Sequence, residues 1–169
     1  GSGKLLRTAL GPMVFRAKDS RLTSRLVKAM GQVKNLDTSS VRGERNVAEG
    51  LTNATAIAVL EGFDFNARAS FGSILNSTVT VDDVTGKISI ATYNALEQMR
   101  SPEGATHFSL QAGFLSIDFA TGGYELAQSP EEVYALENVL ISPTLLPDTA
   151  PTLVGTKMHL VLIEFFQEI

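Results

Sequence analysis

The segment that most constrains the fold is "HLVLIEFF", His159–Phe166, where apolar residues occupy odd and even positions alike. Successive side chains of a strand point to opposite faces, so a run apolar in both phases needs cover on both sides. It is far shorter than the ~20 residues a membrane-spanning helix requires. The sequence therefore predicts a central strand here, and no insertion into a membrane.

Two upstream stretches carry the same two-residue period. In "TVTVDDVTGKISIA", Val79 and Val81 share a face, as do Ile88 and Ile90. The link "DDVTG" supplies an Asp to bond its own backbone and a Gly for positive φ, which predicts a hairpin. In "HFSLQAGFLSIDF", Phe108 and Leu110 are apolar on even numbers, whereas Leu115, Ile117 and Phe119 are apolar on odd ones. A one-residue slip would turn later side chains to the wrong face, so a bulge at Gly113 is expected to absorb it. His107, Ser109, Gln111 and Asp118 then form a polar face. "YELAQS" reads as a return strand, and the prolines of "PTLLPDTAPT" mark an exposed loop.

The front of the chain has a different pattern. The first ten residues show little of one, and "MVFRAK" alternates weakly like a short strand. After Asp19 and Ser20, Leu22, Leu26, Met30 and Val33 recur at helical spacing. A second helix is expected after Ser39 or Ser40, with Val47, Leu51, Thr55 and Ala58 on one face. The predicted fold is α+β: two N-terminal helices followed by an antiparallel, sandwich-like sheet. One domain is expected over residues 1–169, with a basic helical part at 1–60 and an acidic β-rich part at 61–169.

Charge divides along the chain. Residues 1–45 hold ten basic and three acidic side chains, and the remainder carries −11, for −4 overall. Arg21, Arg25 and Lys28 would form a stripe on the first predicted helix, with Arg42 and Arg45 beside it. They are the candidate partner-binding residues. A basic segment on an acidic body can dock on that body, on another copy or on an external anion, and the first two are favoured. Nucleic acid is disfavoured, because no aromatic residues interleave with these cations.

Residue types narrow the chemistry. The chain has no cysteine, which excludes a disulfide scaffold, a thiolate metal site and a cysteine nucleophile. "GSGKLL" lacks the rest of a phosphate-binding loop and reads as a cloning remnant. The two histidines, His107 and His159, could meet a zinc ion only with further ligands such as Asp118 or Glu164. The pairs Asp82–Asp83 and Glu131–Glu132 lack the cleft-facing geometry of glycosidase carboxylates. "NAT" at Asn53 and "NST" at Asn76 match the glycosylation acceptor, without other signs of a secretory route. No cofactor, no metal and no catalytic residues are assigned.

The phrases "RLTSRLVKAM", "VRGERNVAEGL", "LEGFDFN", "PEGATHFSL", "SIDF" and "HLVLIEFFQEI" resemble a family of uncharacterised Bacteroidetes proteins. The resemblance spans residues 21–169. It implies an Arg-rich helical front part, a β-rich remainder, a bacterial source and a tail continuing past Ile169. It brings no activity and no catalytic residues.

The expected function is a non-enzymatic structural or protein-interaction module that self-associates, with a cytoplasmic location favoured. The alternatives are a carbohydrate-type binding sandwich using His107, Ser109 and Gln111, or nucleic-acid binding through the basic helix. The absence of tryptophan argues against the sugar reading, since Tyr93, Tyr124 and Tyr134 are the only tyrosines.

Overall fold

A computed structural model describes residues 2–14, 22–32 and 75–168. The elements in order are α1 (Ser2–Val14), β1 (Leu22–Gln32), β2 (Val79–Val81), β3 (Ile88–Ile90), β4 (Tyr93–Asn94), α2 (Ala95–Gln98), β5 (His107–Ile117), β6 (Tyr124–Gln128), β7 (Glu132–Ala135), β8 (Leu140–Ile141), β9 (Thr144–Leu145) and β10 (Thr156–Phe166). The fold is mixed, with strands dominating and all pairings antiparallel.

The main sheet runs β1-β10-β5, and β6 and β7 share the far edge of β5. The doubly apolar run is thus a central strand, as its sequence requires. Val161, Ile163 and Phe165 face one cluster, with Phe108, Leu110 and Ala112 of β5. Ile88, Ile90, Tyr93 and Leu145 from the smaller sheets cover that cluster. Met158, Leu160 and Leu162 face the other cluster, with Leu115 and Ile117, under Leu6, Ala9, Leu10 and Met13 of α1.

Four expectations are corrected. The first concerns residues 22–32, predicted as a helix and observed as a strand paired along β10, from Leu22↔Phe166 to Gln32↔Met158. A spacing of four satisfies a helical face and also keeps to one phase of a strand, so Leu26 and Met30 fit both, while a register shift after Leu22 puts that residue in the other phase. The pairing decides it, because the backbone of a central strand needs hydrogen-bond partners on both sides. The second predicted helix and the basic residues Arg21, Arg42 and Arg45 lie outside the described residues.

The second correction concerns the start of the chain. Residues 2–14 form α1, so Met13 and Val14 are helical and not part of a strand. Leu6, Ala9, Leu10 and Met13 repeat at three- and four-residue intervals and are at most 1% exposed. Burying Leu6, Leu10 and Met13 stabilises the docked helix by about 2 kcal/mol each.

The third is Gly113. The β5–β10 register is unbroken from His107↔Phe166 to Ile117↔Thr156, so no bulge is present. The apparent slip is a change of covered face. Even positions of β5 meet the small sheets in its first half, and odd positions meet α1 in its second. Gly113 is needed for another reason: a Cβ there would lie 2.6 Å from Met13 Sδ.

The expected hairpin is present, with Val79↔Ile90 and Val81↔Ile88 in register. Asp82 Oδ1 accepts from the N–H of Val84 (2.8 Å) and of Thr85 (3.1 Å), and Gly86 has φ +78°. The β5–β6 turn repeats this chemistry. Asp118 Oδ1 accepts from Ala120 and Thr121, and Gly122 has φ +82°. These backbone donors hold both carboxyls below their ordinary pKa. The proline-rich stretch is not wholly an exposed loop: Pro143, Pro147 and Pro151 are buried, and Thr144–Leu145 is β9.

Tyr93 is fully buried, and its hydroxyl has no hydrogen-bond partner among the described residues. Burial, with Tyr134 nearby, pushes its pKa up. Tyr93→Phe is expected to raise unfolding free energy by about 1 kcal/mol, because an unpaired buried hydroxyl is removed. Urea denaturation checks this; a loss of stability would show that the hydroxyl is satisfied.

Candidate functional site

Of the basic candidates, Arg25 and Lys28 fall among the described residues, on an edge of the main sheet. Arg25 and Lys28 lie on β1, in register with Glu164 and Val161. Positions three apart on a strand fall on opposite faces, so Arg25 and Lys28 do not share a helical stripe; Arg21 lies outside the described residues. Position 25 instead shares a face with Glu164, which is 9% exposed. Among the described residues, β1 pairs on one side only, which makes it an edge.

The opposite edge is acidic. At its middle, the row of β6 and β7 breaks at Ser129–Pro130. Ser129 N–H donates to Ala112 O (2.9 Å), and Ser129 Oγ accepts from Ala112 N–H (2.8 Å) while donating to Pro130 O (3.0 Å). Gln111 Nε2 donates to Ser129 O at 3.0 Å. The serine thus satisfies β5 across the break, and proline adds no donor of its own. Beyond it Glu131, Glu132 and Val133 are exposed. On the β6 side Glu125 is engaged: its Oε2 accepts from Thr152 N–H at 2.9 Å. Asp148 N–H donates to Gln128 O at 3.2 Å. The open part of this edge is therefore β7.

The histidines do not meet. His107 and His159 are on opposite faces of the sheet, as their registers with Phe166 and Phe114 show. Seven strand positions also separate them along the sheet, about 23 Å. His107 stacks on Phe166 with centroids 5.5 Å apart, and its Nε2 lies 3.4 Å from Glu168 Oε2. Thr106 Oγ1 is 2.7 Å from His107 Nδ1 and accepts from Glu168 N–H at 2.8 Å. The hydroxyl keeps both a proton and a second lone pair for Nδ1, so either atom can donate in that contact, according to the ring tautomer. This cluster ties the end of the chain to the start of β5. Among the described residues no group of three or more His, Asp or Glu side chains is placed to hold a metal.

The row His107, Ser109 and Gln111 is partly engaged within the fold. Ser109 is buried, and Gln111 Nε2 donates to Ser129 O, whereas Gln111 Oε1 is buried without a hydrogen-bond partner among the described residues. The pair Asp82–Asp83 divides its work: Asp82 closes its own turn, and Asp83 Oδ1 lies 3.6 Å from His159 Nε2. Sequence reasoning missed the buried His159 environment and the acidic edge. The edge had a signal: residues 101–156 contain seven acidic side chains and no Lys or Arg.

Comparison with protein-family models, with curated proteins and with solved structures found no match. No helix among the described residues is long and apolar enough to cross a membrane.

Proposed function

We propose that this chain is a non-enzymatic structural module that self-associates head to tail through the edges of its main sheet. The layers around the core would close as a β-sandwich. One observation carries the reading: the two sheet edges differ in sign, β1 holding Arg25 and Lys28 and the β7 side presenting Glu131 and Glu132.

Like edges of two copies repel and unlike edges attract. Strand direction agrees. The row β1, β10, β5, β7 alternates, so β7 runs opposite to β1. A second copy in the same orientation would bring its β7 antiparallel to β1. Such a contact is heterologous and builds rings or open chains. The α1 cations, Lys4 and Arg7, belong elsewhere, since α1 packs across β5 and β6.

The test is charge reversal at exposed positions. Deleting the basic segment would also remove α1 and β1 from the core. Glu131→Lys with Glu132→Lys is expected to leave the fold intact and weaken association at least tenfold, measured by sedimentation velocity. Unchanged association in a folded variant would contradict the edge contact.

A further inference from the structure

We infer that the Asp82–Lys87 turn is an acid-released latch, held shut by the neutral ring of His159. The inference is independent of the self-association reading.

His159 lies on the face of β10 that meets the small sheets and is 0% exposed. Its ring packs on Phe114, centroids 4.5 Å apart. The turn closes over both. A Cβ on Gly86 would stand 2.4 Å from Phe114 Cδ2, so the glycine backbone rests directly against that ring.

Among the described residues neither ring nitrogen of His159 has a hydrogen-bond partner. Asp83 Oδ1 lies 3.6 Å from Nε2, on a side chain 52% exposed at the turn. Asp82 and Lys87 are the other charged groups of that turn. On β10 the neighbour is Lys157, whose Nζ donates to Leu153 O at 2.7 Å. From β5 the packed residue is Phe114, and the β1 register position is Met30, with Lys28 two positions along.

A neutral imidazole tolerates this cage. An imidazolium has two N–H donors and needs an acceptor or water at each. Here Nδ1 has none and Nε2 has one carboxylate beyond hydrogen-bond distance. Lifting the turn would hydrate both nitrogens and undock Gly86 from Phe114. Burial lowers the pKa of His159 in the closed state, against the attraction of Asp83 and then Asp82. The sign follows: the ring binds a proton more weakly closed than open. Closure is fully favoured above the free histidine value of ~6.5 and weakens as pH falls through it.

Solution NMR on the full chain tests the latch between about pH 7.5 and 5, the range in which free histidine titrates. The Gly86 Hα facing Phe114 should carry a ring-current shift at the upper pH. That shift is expected to collapse in step with the His159 titration, with a midpoint below ~6.5. Gly122 is the internal control, because its matching turn has nothing within 4 Å of a Cβ position; its shifts should stay constant. His159→Leu should abolish the Gly86 response. Asp83→Asn, at the surface, should enlarge it at a given pH, since the closed ring then binds a proton more weakly still. Three results would overturn the latch: titration of His159 with Gly86 unmoved, a Gly86 response surviving in His159→Leu, or an Asp83→Asn response no larger than that of the unaltered chain.

Discussion

Gly86→Val is expected to destabilise the chain by about 3 kcal/mol or more. Two costs combine. The position has φ +78°, where a β-branched residue is strained by roughly 1–2 kcal/mol. The new Cβ would also meet Phe114 at Cδ2 (2.4 Å), Cβ (2.9 Å) and Cγ (2.9 Å). Phe114 cannot step aside easily, being 2% exposed and packed on His159. Overpacking of this kind costs about 1–3 kcal/mol. Val84 is the control: it lies in the same turn at 79% exposure, and Val84→Thr should change stability by no more than ~0.5 kcal/mol. Urea midpoints of the two variants decide the matter. A mild Gly86→Val effect would show that the turn does not rest on Phe114.

Leu160→Ala is expected to cost about 3–4 kcal/mol, the range for a leucine deleted from a rigid core. Leu160 is 0% exposed, at the middle of β10 and opposite Gly113 in register. Gly113 has no side chain to fill the void, and Leu160 Cδ1 is 3.5 Å from where its Cβ would stand. Met13, already against Gly113, is the neighbour placed to shift into the void. Hydrogen exchange should therefore rise along α1 as well as at the strand. A cost under ~1 kcal/mol, or an undisturbed α1, would mean that the helix is not seated on this face.

These two sites also show what the residue pattern could reveal. The β2–β3 hairpin was legible, because its turn is set by local chemistry: an Asp acceptor and a positive-φ Gly. The central strand was legible because His159–Phe166 is apolar in both phases. Gly113 was misread because a change of apolar phase has two causes, a bulge or a change in which face is covered. Only the packing of α1 separates them. The strand at 22–32 was misread because a four-residue spacing belongs to both periods, and its partner is more than a hundred residues away. For α1 the signal was present in Leu6, Ala9, Leu10 and Met13 and simply short.

Of the candidate site, the division of charge was visible in the sequence, but its geometry was not. Arg25 and Lys28 fall on opposite faces of β1, so the part of the predicted stripe among the described residues is not helical. The opposing acidic edge depends on the Ser129–Pro130 break, whose satisfaction by Ala112 and Gln111 is a tertiary matter. His159 was recognised as lying in a strand; its burial beneath a turn of distant sequence was not.

The most direct test of head-to-tail association is the mass of the unaltered chain by light scattering, across a concentration series at low and at high salt. The account predicts species larger than 18.1 kDa at low salt, growing with concentration. It also predicts their loss at high salt, where exposed charges are screened within a few ångströms. A folded monomer at every concentration and both salt levels would contradict it.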